Sequence, residues 1–201
     1  MLNYLISLDI VTLNYIRSSI DPSNYMLVKL IKIFSDFWVI FVAISLVFLW
    51  LTWVYKKDDT FKVTALNIFY TIIFCFILYM ILNLWLPIRP RPETVSSIRP
   101  LVDHLPDNSF PSGHGIFAWA AVLAFFTFIN KKIYWVLLLI LSIIMLYCRV
   151  LSWVHYPWDV LVWFLLWLIF SGIYIRFLSQ KSFVNDVLMA YPIKLLKVIK
   201  L

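Results

Sequence analysis

"CRVLSWVHYPWDV", Cys148 to Val160, sets an arginine, a histidine and an aspartate between two apolar runs. Upstream stands "IYWVLLLILSIIMLY" (Ile133–Tyr147), and downstream "WDVLVWFLLWLIFSGIYIRF" (Trp158–Phe177). Pro157 suits a first helical turn and pushes Tyr156, before it, out of the helical region. His155 therefore lies just ahead of one helix, Asp159 in its first turn, and Arg149 near the end of the preceding helix. Ionisable groups at the mouth of an apolar bundle are costly unless paired or functional.

The rest of the chain fits that placement. Of 201 residues, 64% are hydrophobic and 13% charged, against roughly a quarter charged in soluble domains. Apolar runs of about 16–24 residues recur, near the length that crosses ~30 Å of hydrocarbon. The expected fold is all-α, an integral membrane helical bundle of five to six spans forming one domain over residues 1–201. Spans are read at Phe37–Val54, Val63–Leu86, Ser112–Ile129, Ile133–Tyr147 and Trp158–Phe177. A polar external loop over 87–111, with a short helix between spans, is expected to carry part of the site; it holds six of the nine prolines.

The first twenty residues lack the basic stretch of a secretory signal and carry Asp9 and Asn14 inside an apolar pattern. They read as an interfacial helix or as a first span. Residues 180–201 alternate leucines and isoleucines with lysines, the pattern of a basic amphipathic tail lying on a membrane surface. Ten of the seventeen basic residues, among them Lys56, Lys62, Lys131, Lys132 and Arg176, fall opposite the 87–111 loop. That bias predicts a cytoplasmic tail and an external loop. The net charge of +7 is thus read as topology and lipid contact rather than nucleic acid binding. Cys75 and Cys148 sit inside apolar runs and read as packing residues. Three histidines, one glutamate and no paired-ligand spacing predict no metal site, and no cofactor is expected.

Three polar clusters converge on the external side: "RPRP" (Arg89–Pro92), "PSGH" (Pro111–His114) and the opening stretch. Ser112 is a natural N-cap and Gly113 permits close backbone approach, so the helix start could hold an anion. The spacing of His155 and Asp159 lets a carboxylate reach an imidazole nitrogen, fixing its tautomer and sharpening the other nitrogen as a nucleophile. Arg149 offers a fork of donors for phosphate. Taken singly, each cluster also fits a blander role: a capped helix, an interfacial ion pair, or arginines at lipid headgroups.

Taken together, they resemble the type-2 phosphatidic acid phosphatase superfamily, membrane lipid phosphatases related to vanadium haloperoxidases. That pattern is Lys-x6-Arg-Pro, then Pro-Ser-Gly-His, then Ser-Arg-x5-His-x3-Asp. "PSGH" matches outright, and Arg149, His155 and Asp159 match in residue and spacing, in a resemblance covering roughly Val63 to Phe177. Cys148 replaces the usual serine. Leu84 stands where the lysine before Arg91 is expected, which makes Arg89 the candidate replacement for the missing charge. "RPRP" and "SFPSGH" look most like the bacterial undecaprenyl-pyrophosphate phosphatases.

The resemblance implies a metal-independent lipid phosphatase. His155 would be the nucleophile, Asp159 its orienting partner, and His114 the general acid and base. Arg91, Arg149, Ser112 and Gly113 would bind phosphate, with Arg89 joining them. The implied substrate is undecaprenyl pyrophosphate, converted to undecaprenyl phosphate. Alternatives are a phosphatase of phosphatidylglycerophosphate, phosphatidate or lipid A, a lipid phosphotransferase, or a non-catalytic membrane scaffold. The implied location is a bacterial cytoplasmic (inner) membrane, with the site facing the periplasm or cell exterior. The expected partners are a lipid phosphate and the bilayer; the sequence names no protein partner.

Overall fold

A computed structural model describes residues 2–56, 58–86, 89–96, 99–104, 109–110, 112–129, 131–178 and 194, with backbone alone at 2–5, 59, 96, 163–165 and 167–168. Every regular element among them is helical. In chain order they are α1 (Leu2–Ser18), α2 (Tyr25–Lys56), α3 (Asp59–Trp85), α4 (Pro92–Ser96), α5 (Gly113–Phe128), α6 (Lys132–Leu151) and α7 (Pro157–Ile173). A π-helical turn, Tyr174–Leu178, continues α7. The expected tail over 180–201 lies outside the described residues apart from Lys194.

Three helices are long and apolar enough to cross a bilayer, over Tyr25–Lys56, Thr60–Trp85 and Lys132–Leu151. Their outer faces are apolar too: Ile40, Ile44, Val47, Phe48 and Leu51 on α2 and Phe76, Ile77 and Met80 on α3 are exposed. An apolar exterior of this extent suits lipid and not water. The 32 residues of α2 measure about 48 Å at 1.5 Å per residue. Its first turns therefore project beyond the hydrocarbon, and Asp36 rides on that projection. The sequence reading began this span at Phe37; one unbroken helix starts twelve residues earlier.

Helix α5 is the hub, packed against α3, α6 and α7. Ala118, Ala120, Ala121 and Ala124 are fully buried on it. Small residues let helix backbones approach where lipid removes the hydrophobic drive to associate. Cys75 of α3 meets Ser171 of α7 at 3.3 Å, and both cysteines are buried and free. Side-chain caps set two helix starts: Asp58 accepts from the Thr60 amide at 3.0 Å, and Ser112 from that of Gly115 at 3.3 Å.

Helix α1 packs on α6 and α7 through Leu13 and Ile16, with Asp9 buried on its inner side. Lys62, counted above among residues that set orientation, is instead fully buried, its Nζ 3.3 Å from the Trp53 ring centre. Cation–π contact offsets its desolvation, and it does not face headgroups.

Candidate active site

The C-terminal end of α6, the N-termini of α5 and α7, the start of the 87–111 loop and the projecting part of α2 meet at one end of the bundle. His155 is 1% exposed in the turn between α6 and α7. Its Nδ1 lies 2.8 Å from the Ser109 carbonyl oxygen. A carbonyl only accepts, so Nδ1 carries the proton and Nε2 keeps its lone pair. Burial, then the charges of Arg91 and Arg149, hold the His155 pKa well below the usual imidazole range. The ring is neutral at physiological pH.

Asp159 departs from the sequence reading, which put its carboxylate on the His155 imidazole. Its Oδ2 accepts from the Ser109 hydroxyl and, at 3.0 Å, from the Tyr156 amide. Its Oδ1 accepts from Arg89 Nη1 at 2.6 Å. The reason is local. His155 precedes the N-cap Tyr156, whose backbone is extended (φ −79°, ψ 155°), so the two residues do not share the one-turn spacing of a helix face. A third-position carboxylate instead turns back onto the N-cap amide. Asp159 therefore reaches His155 through Ser109: the hydroxyl binds the carboxylate and the carbonyl binds the ring.

Arg149 is 2% exposed in the last turn of α6. Its Nη2 donates to His114 Nδ1 at 2.9 Å. A guanidinium only donates, so neutral His114 carries its proton on Nε2. That nitrogen and Arg149 Nη1 lie 4.0 and 3.5 Å from Asp36 Oδ1. The Ser112 hydroxyl oxygen accepts from the Gly115 amide and its carbonyl from the Ile116 amide. The Gly113 and His114 amides start the helix without intrahelical partners, as anion-binding helix ends do. A Cβ at Gly113 would meet Tyr79 at 3.6 Å, an ordinary contact; packing does not demand glycine there.

Arg91 is buried and donates to the Val154 carbonyl at 2.5 Å, steadying the residue before His155. Arg89, the expected replacement for the missing lysine, is engaged with carboxylates. Its guanidinium lies between Asp159 and Asp9, 2.5 Å from Asp9 Oδ2, and 3.9 Å from the Tyr156 ring centre. Burial disfavours its charge, but Asp159 and Asp9 outweigh that and raise its pKa. One N–H on each of its two terminal nitrogens is given to a carboxylate. Leu84, at the lysine position, is 83% exposed on α3.

Asp9, Ser109, Asp36 and the Glu93–His104 pair were not singled out as site residues from sequence. Asp9 had one signal, a carboxylate inside an apolar pattern, and Ser109 another, its place in "SFPSGH". His104 and Glu93 pair with each other, each side chain 12% exposed, so His104 is not the solvated loop residue its position suggests. Among the described residues no three His, Cys, Asp or Glu side chains gather as metal ligands would.

The sequence pattern of the PAP2 superfamily matches residues 64–183, which contain all of these residues except Asp9 and Asp36. The "Bacitracin transport permease protein BcrC" of Bacillus licheniformis is 31% identical over 172 residues, 83% of this chain and 79% of that protein. The "Undecaprenyl-diphosphatase BcrC" of Bacillus subtilis is 34% identical over 104 residues, about half of each chain (51% and 53%). No solved structure matches. The matched region spans the His114, Arg149, His155 and Asp159 cluster, and the chain belongs to the PAP2 superfamily of phosphatases.

Proposed function

We propose that this protein hydrolyses undecaprenyl pyrophosphate to undecaprenyl phosphate and orthophosphate through a phosphohistidine on His155. The observation that carries the reading is the pair of opposed tautomers. His155 holds its proton on Nδ1 against the Ser109 carbonyl, and His114 holds its own on Nε2 because Arg149 occupies Nδ1. One ring turns a lone pair towards the substrate and the other turns an N–H.

His155 Nε2 attacks the terminal phosphorus in line, and the bond from phosphorus to the bridging oxygen breaks. The substrate's phosphate oxygens draw Arg149 off His114 Nδ1, which takes up a proton from the bound pyrophosphate, and the resulting imidazolium gives its Nε2 proton to the departing lipid phosphate. The same nitrogen then takes a proton from water, which attacks the phosphohistidine, releases orthophosphate and restores both rings. Arg149, Arg91, Ser112 and the Gly113 and His114 amides stabilise charge on the equatorial oxygens, each such donor typically worth about 2.7–4 kcal/mol.

The site would sit at headgroup depth, with α2, α3, α5, α6 and α7 as five spans and α1 lying at the site end. Lys56, Lys131 and Lys132 mark the opposite end as cytoplasmic. The site then faces the outside of a bacterial cytoplasmic membrane, where a phosphate on a long apolar anchor can reach it from the side.

The B. licheniformis relative is named a permease, but a buried imidazole opposed by a half-buried one of the other tautomer suits turnover rather than passage. Phosphate release by purified protein from undecaprenyl pyrophosphate, phosphatidylglycerophosphate, phosphatidate and lipid A tests the proposal. Undecaprenyl pyrophosphate should give the highest kcat/KM. A higher value for any other lipid would reassign the substrate, and lipid phosphoryl transfer to an added alcohol exceeding hydrolysis would reassign the reaction.

A further inference from the structure

Asp9 belongs to a helix outside the matched region, yet it is 1% exposed and fully engaged at the site. Its Oδ1 accepts from the Trp158 amide at 3.0 Å, at the start of α7. Its Oδ2 accepts from Arg89 Nη2 at 2.5 Å. From there the bonds run without a gap: Arg89 Nη1 to Asp159 Oδ1 at 2.6 Å, Asp159 Oδ2 to the Ser109 hydroxyl, and the Ser109 carbonyl to His155 Nδ1 at 2.8 Å.

We propose that Asp9 is a positioning residue for the reaction, through which α1 sets the orientation of His155. The proposal rests on the function proposed above. Three features carry it. A carboxylate is expensive to bury and is kept where charged partners compensate it. Both Asp9 oxygens serve the segment that carries the nucleophile, one holding the α7 N-terminus and one holding Arg89. Finally, Arg89 faces two carboxylates, so each fixes the angle at which it meets the other. Without Asp9, the fork can swing on its Tyr156 contact, Asp159 loses a fixed donor, and the Ser109 turn against His155 loosens. Asp9 does not touch the reacting atoms. Its effect should appear in the chemical step and not in lipid binding.

The test measures kcat and KM on undecaprenyl pyrophosphate for full-length wild type, Asp9→Asn, Asp9→Glu and Leu13→Ala in one detergent, together with thermal midpoints. Leu13→Ala loosens the same helix through its buried apolar contact and breaks no polar link. Asp9→Asn should lower kcat roughly 10- to 100-fold, the scale of a small misplacement of a reacting group, with KM within about threefold. Asp9→Glu keeps the charge and displaces Arg89, and should fall between wild type and Asp9→Asn in kcat. Leu13→Ala should lower the midpoint with kcat within about threefold of wild type. If Asp9→Asn does not fold, the Asp9→Glu value decides alone. Wild-type kcat in Asp9→Asn, or in Asp9→Glu when it stands alone, would overturn the proposal. So would a kcat loss in Leu13→Ala matching that of Asp9→Asn. A wild-type protein inactive on this lipid would instead overturn the proposed function.

Discussion

Arg89 Nη1 sits 2.6 Å from Asp159 Oδ1, with the guanidinium carbon 3.9 Å from the Tyr156 ring centre. This contact binds the start of the 87–111 loop to the first turn of α7 and takes up a cation that the sequence offered to phosphate. Arg89→Ala should therefore act as a positioning loss: kcat falls about 10- to 100-fold while KM changes little. It also leaves two buried carboxylates without their shared cation. The cost in stability should be about 2–4 kcal/mol, under the fully buried figure because Arg89 is 26% exposed. Adding Leu84→Lys should recover nothing, since that position is exposed on α3. Recovery of kcat by the double variant would return Arg89 to the role of a phosphate ligand.

Ser109→Ala removes the hydroxyl that joins Asp159 to the turn holding His155, but keeps the carbonyl on Nδ1. A hydrogen bond to a charged group is worth about 1.5–3 kcal/mol, so kcat should drop about 10- to 150-fold. Steady-state kinetics with the thermal midpoint alongside checks it. An unchanged kcat would mean that the carbonyl alone orients the ring.

The nucleophile must be neutral, and burial with Arg91 and Arg149 depresses its pKa below 6.5. Lowering the pH through the ordinary histidine range should therefore leave kcat/KM intact, with the acid limb below it. Arg91→Gln removes one of the charges that disfavour imidazolium. The His155 pKa should rise and the acid limb move to higher pH, whatever happens to the maximal rate. A limb that stays put or moves to lower pH in this variant would contradict the assignment of His155 as the titrating group.

Asp36 presents a carboxylate 3.5 Å from Arg149 Nη1 and 4.0 Å from His114 Nε2, where an incoming phosphate also needs donors. It is 62% exposed, so its competition is weak, up to about 1 kcal/mol. Asp36→Asn should tighten inhibition by orthovanadate about two- to fivefold. Weaker inhibition would make Asp36 a support for the general acid. Wild-type activity should also survive EDTA; loss restored by Mg²⁺ would oppose the metal-free reading.

His104→Ala should register in stability, because His104 is paired with Glu93. Its kcat should remain within about threefold of wild type, as neither residue joins the bonds leading to His155. Thermal unfolding and kcat on the same preparation separate the two effects. A kcat loss beyond that range would bring the pair into the site.

The helical class and the polar mouth were legible because both write themselves locally. Apolar runs fix helices, and Ser112, Pro157 and the His155–Asp159 spacing fix where two of them begin. Long-range partners were not legible. Nothing near Asp159 announces that Asp9, 150 positions earlier in the chain, shares its arginine. Spacing alone also misdirected Asp159 to His155, since the capping demand of α7 for the carboxylate competes with the ring and wins. The extension ahead of Phe37, with Lys29, Lys32 and Asp36, was legible as such, but not that it continues the span as one helix and brings Asp36 to Arg149 and His114.

Turnover by this route passes through a covalent bond between phosphorus and His155. Protein incubated briefly with undecaprenyl pyrophosphate labelled on its terminal phosphate, then denatured in base, should carry label that is stable to alkali and released by acid. His155→Ala should carry none, and His114→Ala should gain label more slowly and hold it for longer, because formation lacks its acid and hydrolysis its base. Rapid turnover by wild type with no label trapped in wild type or His114→Ala, or equal label in His155→Ala, would contradict the mechanism.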